Sequence, residues 1–268
     1  MIRGIKIEIC CGTLSDCLNA AAQPIDRIEL NSALELGGLT PTFSTFLEAR
    51  KLPGMKILCM VRPRTAGFCY KKEDISAMFL DAELFLKNGA DGIVFGFLKE
   101  NAQIDEDLTH RMIQLIHSYG KEAVFHKAFD ETPDPEAALE TLVKQHADRI
   151  LTSGHSTYPN IDTGFLKSMN IKYGNRIELL PGGGINASNI VSILQTSGIH
   201  QFHMTGKSVC NDRGSYNAVD PMNIEKVIHA IESGISPHET QHILTGEDQA
   251  MIDNDAYENS ICPMDDDE

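Results

Sequence analysis

Eight polar side chains fall at or near the ends of short β-rich runs, and their types suit anion binding, proton transfer or metal ligation. Glu8 and Cys10 belong to IKIEICC (5–11), Glu29 to DRIEL (26–30), and Arg62 and Arg64 to the RPR that follows KILCMV (56–61). His126 and Asp130 share the segment FHKAFD, and His203 lies in QFHMT (201–205). Pro63 holds the backbone extended, so the two guanidiniums leave it in a constrained relation suited to gripping a carboxylate or phosphate. Carboxylates beside an imidazole suit general acid–base work, which makes Glu8, Glu29, His126 and Asp130 the catalytic candidates. Cys10, His126 and His203 offer the sulfur and imidazole nitrogens that a soft metal ion takes.

A second group is built on glycine. LLPGGGINASNI (179–190) places Gly182, Gly183 and Gly184 between an apolar run and a helical pattern, and MTGKS follows with Gly206 and Lys207. Glycine permits positive φ and close approach of a ligand to the backbone, so both turns are anion-binding candidates. The GKS is not a P-loop, because position 201 is glutamine where that motif needs glycine.

The elements that must position these residues alternate along the chain. Eight β-rich runs can be read: the four already given, GIVFGF (92–97), EAVFHKAF (122–129), RILTS (149–153) and RIELLP (176–181). Between them lie segments of helical period such as KEDISAMFLDAELFLKNG and DEDLTHRMIQLIHSYG, ending in a C-cap glycine. The pattern predicts an α/β protein, a single-domain (β/α)8 TIM-type barrel over residues 1–234. Function in such a barrel gathers at the C-terminal strand ends, and phosphates bind after strands seven and eight, where the two glycine turns fall. Strand period two then puts Glu8, Cys10, Glu29 and Asn31 inside the barrel, with Arg62 and Arg64 as counter-charges. It also puts His126 and Asp130 on one face, and His203 in the same layer.

Composition bounds the partners. The net charge of −15 argues against nucleic acid, which needs clustered Lys and Arg. Ten of the 38 acidic residues and none of the 23 basic ones fall within 235–268, which reads as an acidic tail expected to be disordered. No apolar stretch approaches the ~18 residues of a membrane helix, and the N-terminus lacks signal-peptide architecture, so a cytoplasmic location is expected. Seven cysteines without CxxC spacing read as free thiols.

The fragments IEICC, DRIELNSALELGGLTP, MVRPR, GIVFG, VFHKAFD, RILTSG, PGGGI and FHMTG, in that order from about residue 5 to 206, resemble the copper homeostasis protein CutC family. The resemblance implies a (β/α)8 barrel, a cytoplasmic location, homo-oligomerisation and a role in copper homeostasis through copper binding. Cys10 matches the family's first-strand cysteine, whereas Asn31 stands where family members often carry cysteine and Met204 where some do. Copper in a reducing cytosol would be Cu(I), with Cys10, His126 and His203 as the ligand candidates. No organic cofactor is expected. The alternative expectation, drawn from residue chemistry, is a barrel enzyme acting on a small anionic or phosphorylated metabolite by Glu/His acid–base catalysis.

Overall fold

A computed structural model describes residues 1–157 and 159–235. Eight parallel strands form one sheet: β1 (Lys6–Cys11), β2 (Arg27–Leu30), β3 (Lys56–Met60), β4 (Gly92–Phe95), β5 (Glu122–Phe125), β6 (Arg149–Thr152), β7 (Glu178–Pro181) and β8 (Gln201–Met204). Each is followed by a helix: α1 (Leu14–Ala21), α2 (Phe43–Ala49), α3 (Lys72–Lys87), α4 (Glu106–Ser118), α5 (Pro135–Lys144), α6 (Thr163–Tyr173), α7 (Ile190–Ser197) and α8 (Pro221–Gly234). Several helices start where Thr or Asp caps the first turn, as Asp105 accepts from the Leu108 amide and Asp162 from that of Phe165.

The strand order is β7-β6-β5-β4-β3-β2-β1-β8, so the sheet curls until its edge strands meet. The closing seam is thin. A single parallel bridge joins Gly182 to His203, and the Gln201 side-chain amide donates to the Leu179 carbonyl at 3.1 Å. The fold is therefore a (β/α)8 barrel.

Alternation along each strand divides the core in two. Ile7, Ile9, Ile28, Leu30, Ile57, Phe95, Phe125, Ile150 and Phe202 point outward and join the main apolar core beneath the helices. Inside the barrel, Leu58, Met60, Val94 and Val124 from β3, β4 and β5 make a small apolar cluster of their own. Glu8, Arg27, Glu29, Arg149, Gln201 and His203 are buried inside the barrel as well.

Most strands match the expected runs to within two residues, and two stretches depart further. The fifth strand stops at Phe125, because His126 caps a 3-10 turn over Lys127–Glu131 rather than continuing the extended chain. After β8, residues expected as a loop form the hairpin β9 (Lys207–Asn211) and β10 (Ser215–Val219). The expected acidic tail lies, apart from Ile235, outside the described residues, and so does Cys262.

Candidate functional site

The interior charges are paired within the barrel. Arg27 Nε donates to Glu8 Oε2 and its Nη2 to Gln201 Oε1 at 2.7 Å, while Arg149 reaches Glu178 at 3.0 Å and Glu122 at 2.8 Å. His203 Nδ1 meets the other Glu8 oxygen at 2.7 Å. Burial pushes the Glu8 carboxyl up, but Arg27, His203 and Arg149 outweigh it and hold it at about 2. The expectation that Arg62 and Arg64 neutralise Glu8 is thus corrected: the counter-charge comes from Arg27, two residues before Glu29 on the same strand face.

One layer nearer the C-terminal mouth, Asn31 Nδ2 donates to Glu29 Oε1 at 2.7 Å and to Cys10 Sγ at 3.3 Å. The Cys10 thiol lies 3.8 Å from Glu29 Oε1, and Glu29 Oε2 lies 3.8 Å from His203 Nδ1. Ligand atoms of Cys10, Glu29 and His203 all fall within 4.8 Å of one another, and all three residues are buried. Burial raises the Glu29 carboxyl; His203 pulls it down in part and Glu8 adds to the rise. Burial, then Glu29 and Glu8, push the Cys10 thiol well up. Burial works against the His203 cation, but Glu29 and Glu8 more than offset it and raise its pKa.

His126 stands apart from this cluster. Its Nδ1 accepts from the Ala128 amide at 3.2 Å, and burial, reinforced by Arg62, lowers its pKa to about 3, so it is a neutral imidazole. The expected pairing with Asp130 does not form. The 3-10 turn carries Asp130 away to β6, where it accepts from the Thr152 hydroxyl, the Ser153 amide at 3.0 Å and hydroxyl at 2.9 Å, and the His155 amide at 3.2 Å. Asp130 therefore fastens the loop after β6.

The two arginines separate as the chain leaves β3. Arg62 turns inward, with Nη1 donating to the Gly37 carbonyl at 3.0 Å and Gly38 at 3.2 Å, and Nη2 to Ala66 at 2.7 Å. Arg64 turns outward and is spent on the carbonyls of Thr65, Gly67 and Cys69 and on Asp74. They do not form one bidentate grip. Cys10, Glu29, Asn31, Arg62 and His126 instead line a chamber of about 90 Å³.

The glycine turns belong to a different cavity. Gly183, Gly184, Gly206 and Lys207 line an open cleft of about 620 Å³, together with Lys226. Gly182 serves the seam: a Cβ there would stand 2.6 Å from Leu151 Cδ1. In the turn before α7, Asn189 Oδ1 already accepts from the Asn186 amide at 2.9 Å, and Asn186 Oδ1 from the Ser188 amide at 2.9 Å. Two backbone amides of this turn, those of Asn186 and Ser188, are thus committed. The catalytic candidates and the glycines do not assemble into one centre.

Sequence reasoning missed Arg27, Arg149 and Gln201, although their strand parity was available, and it did not name Glu29 as a metal donor. Lys127, whose Nζ bonds Asp130 at 3.0 Å and lies 3.5 Å from the Gly182 carbonyl, was also missed; strand counting places it outside.

The model of the CutC family matches residues 5–208. A CutC family protein of Treponema denticola is 42% identical over 202 residues, covering 75% of this chain and 81% of that protein. One of Aliivibrio fischeri is 36% identical over 205 residues, covering 76% and 83%. Among solved structures, one from Streptococcus agalactiae named for copper homeostasis, CutC, superimposes with a TM-score of 0.70 at 31% identity, covering 74% of this chain and 97% of that one.

Proposed function

The chain belongs to the CutC family, and from that premise we propose that it is a copper-binding protein of copper homeostasis, acting in the cytosol, with the ion held by Cys10 and His203 and assisted by Glu29. The observation that carries this reading is the convergence of three buried donor atoms within 4.8 Å at the C-terminal side of the barrel. The donor types fit: a thiolate and an imidazole suit copper, and the carboxylate offers a third bond. Glu8 engages His203 through Nδ1, the carboxylate–histidine relation that commonly orients metal ligands. His126 is left out of the proposed ligand set because its Nδ1 is used by the backbone and it stands outside the cluster. We further propose that the protein is a homo-oligomer, which light scattering on the purified protein tests.

An anaerobic Cu(I) competition titration tests the metal reading. Cys10→Ser and His203→Gln should each weaken binding at least tenfold. A metal takes the thiolate, so binding releases a proton and the affinity should rise about tenfold per pH unit for each proton released. Equal, weak affinity in wild type and Cys10→Ser sinks the assignment.

A further inference from the structure

Seven buried side-chain atoms find no hydrogen-bond partner among the described residues, and four of them, Glu29 Oε2, Asn31 Oδ1, Arg62 Nε and His126 Nε2, belong to residues lining the single chamber of about 90 Å³. Buried polar atoms are nearly always satisfied, so four orphans around one small space point to a ligand with matching groups. The role of each atom follows from its neighbours. His126 Nδ1 accepts from a backbone amide, so the ring proton sits on Nε2, and that nitrogen is a donor. Arg62 Nε is also a donor, and the other guanidinium nitrogens are occupied by the Gly37, Gly38 and Ala66 carbonyls. Asn31 spends its amide nitrogen on Glu29 and Cys10, which leaves Oδ1 as an acceptor. Glu29 Oε2 supplies the fourth position.

The two donors are also held in place together. The Phe68 ring lies 4.8 Å from the Arg62 guanidinium carbon and 4.7 Å from the centroid of the His126 imidazole. A ring packed against both fixes their relative direction, the preorganisation that a small ligand needs. The chamber, at about 90 Å³, suits a small ligand. Arg62 and Lys127 at its wall favour an electron-rich oxygen.

We propose that this chamber binds a small hydroxy-carboxylate or hydroxy-carbonyl compound, whose carboxyl or carbonyl oxygen accepts from His126 Nε2–H and Arg62 Nε–H while its hydroxyl donates to Asn31 Oδ1 or Glu29 Oε2. The site shares Glu29 with the copper cluster, but its donors, His126 Nε2 and Arg62 Nε, lie outside that cluster, so binding does not require the metal. His126 is held in place as a neutral donor by its backbone bond, so its part in binding is constant across physiological pH.

The test uses copper-free full-length protein and long-range ¹H–¹⁵N NMR of the imidazoles, titrated with glycolate and hydroxyacetone, and with acetate as the probe lacking a hydroxyl. The His126 signals should show the Nε2–H tautomer and shift saturably with glycolate or hydroxyacetone, at least tenfold more weakly with acetate. His126→Asn keeps an oxygen to cap the Ala128 amide but withdraws the donor from the Nε2 position, which the shorter side chain does not reach, and should bind glycolate at least tenfold more weakly while the amide spectrum stays that of the folded protein. Glycolate binding is read without copper, and Cu(I) affinity is read without glycolate, so this inference and the copper reading fail separately. An Nδ1–H tautomer, His126 signals that no probe moves, or undiminished binding by His126→Asn would overturn the proposal.

Discussion

His126 shows how much a single residue's surroundings decide. The same imidazole that sequence parity offers as an acid–base partner is deeply buried, bonded to a backbone amide and held near a pKa of about 3. Keeping it neutral has a consequence for stability. The unfolded chain takes up a proton near the ordinary histidine value of 6.5 while the folded chain does not until about 3, so stability falls as pH falls through that window. Glu8 acts in the same direction lower down: its depressed pKa contributes stability that is complete above 4.5 and is lost as pH falls toward 2. His126→Asn should therefore flatten the acid limb between 6.5 and 3, by up to about 1.4 kcal/mol per pH unit, in urea titrations run at several pH values. An acid limb identical to wild type would show that the imidazole is protonated in the folded state.

At the scale of elements, the loops rather than the strands sort the candidate residues. Glu8, Cys10 and Glu29 lie within regular strands, and counting by twos from the sequence put them inside the barrel, where the structure has them. Arg64, Asp130 and the glycines lie beyond strand ends, where period two no longer applies. Arg62 and Arg64 part company because β3 ends at Met60, and Asp130 leaves His126 because a 3-10 turn intervenes. The β7–α7 turn is held with similar strictness. Gly184 has φ of +77°, and a Cβ on it would stand 2.6 Å from the Pro159 carbonyl oxygen of the loop after β6. Gly184→Ala should cost about 2 kcal/mol or more by chemical denaturation, since it adds left-handed strain to a backbone clash. A cost near zero would mean that the two loops move apart freely.

For the molecule as a whole, the barrel interior is asymmetric. Apolar side chains fill the side under β3, β4 and β5, and a buried ionic cluster fills the side where β8 closes against β7 and β1. Buried ion pairs contribute little net stability but are costly to break by halves, so each member is held by its neighbours. Gln201 is central to that closure, joining Arg27, Glu178 and the Leu179 carbonyl across the thin seam. Gln201→Ala should cost about 2 kcal/mol by taking one partner each from the buried Arg27 guanidinium and the Leu179 carbonyl, and amide exchange should accelerate first in β7 and β8. If exchange rises evenly around the barrel instead, the seam is not the weak point of closure.

Legibility followed the range of the interaction. The alternation of β-rich and helical runs, the eight-unit order, and the inward direction of Glu8, Cys10, Glu29 and His203 are written locally, because backbone geometry alone sets a period of 2 or 3.6. Which side chains then meet depends on strand adjacency and loop path, which no local period encodes. Glu8 and His203 are 195 residues apart in the chain and 2.7 Å apart in space. The partnership of Glu8 with Arg27 rather than Arg62, the gathering of Cys10, Glu29 and His203, and the division of the remaining candidates between a chamber and a cleft were decided only when the sheet closed, because closure brings the first and last strands side by side.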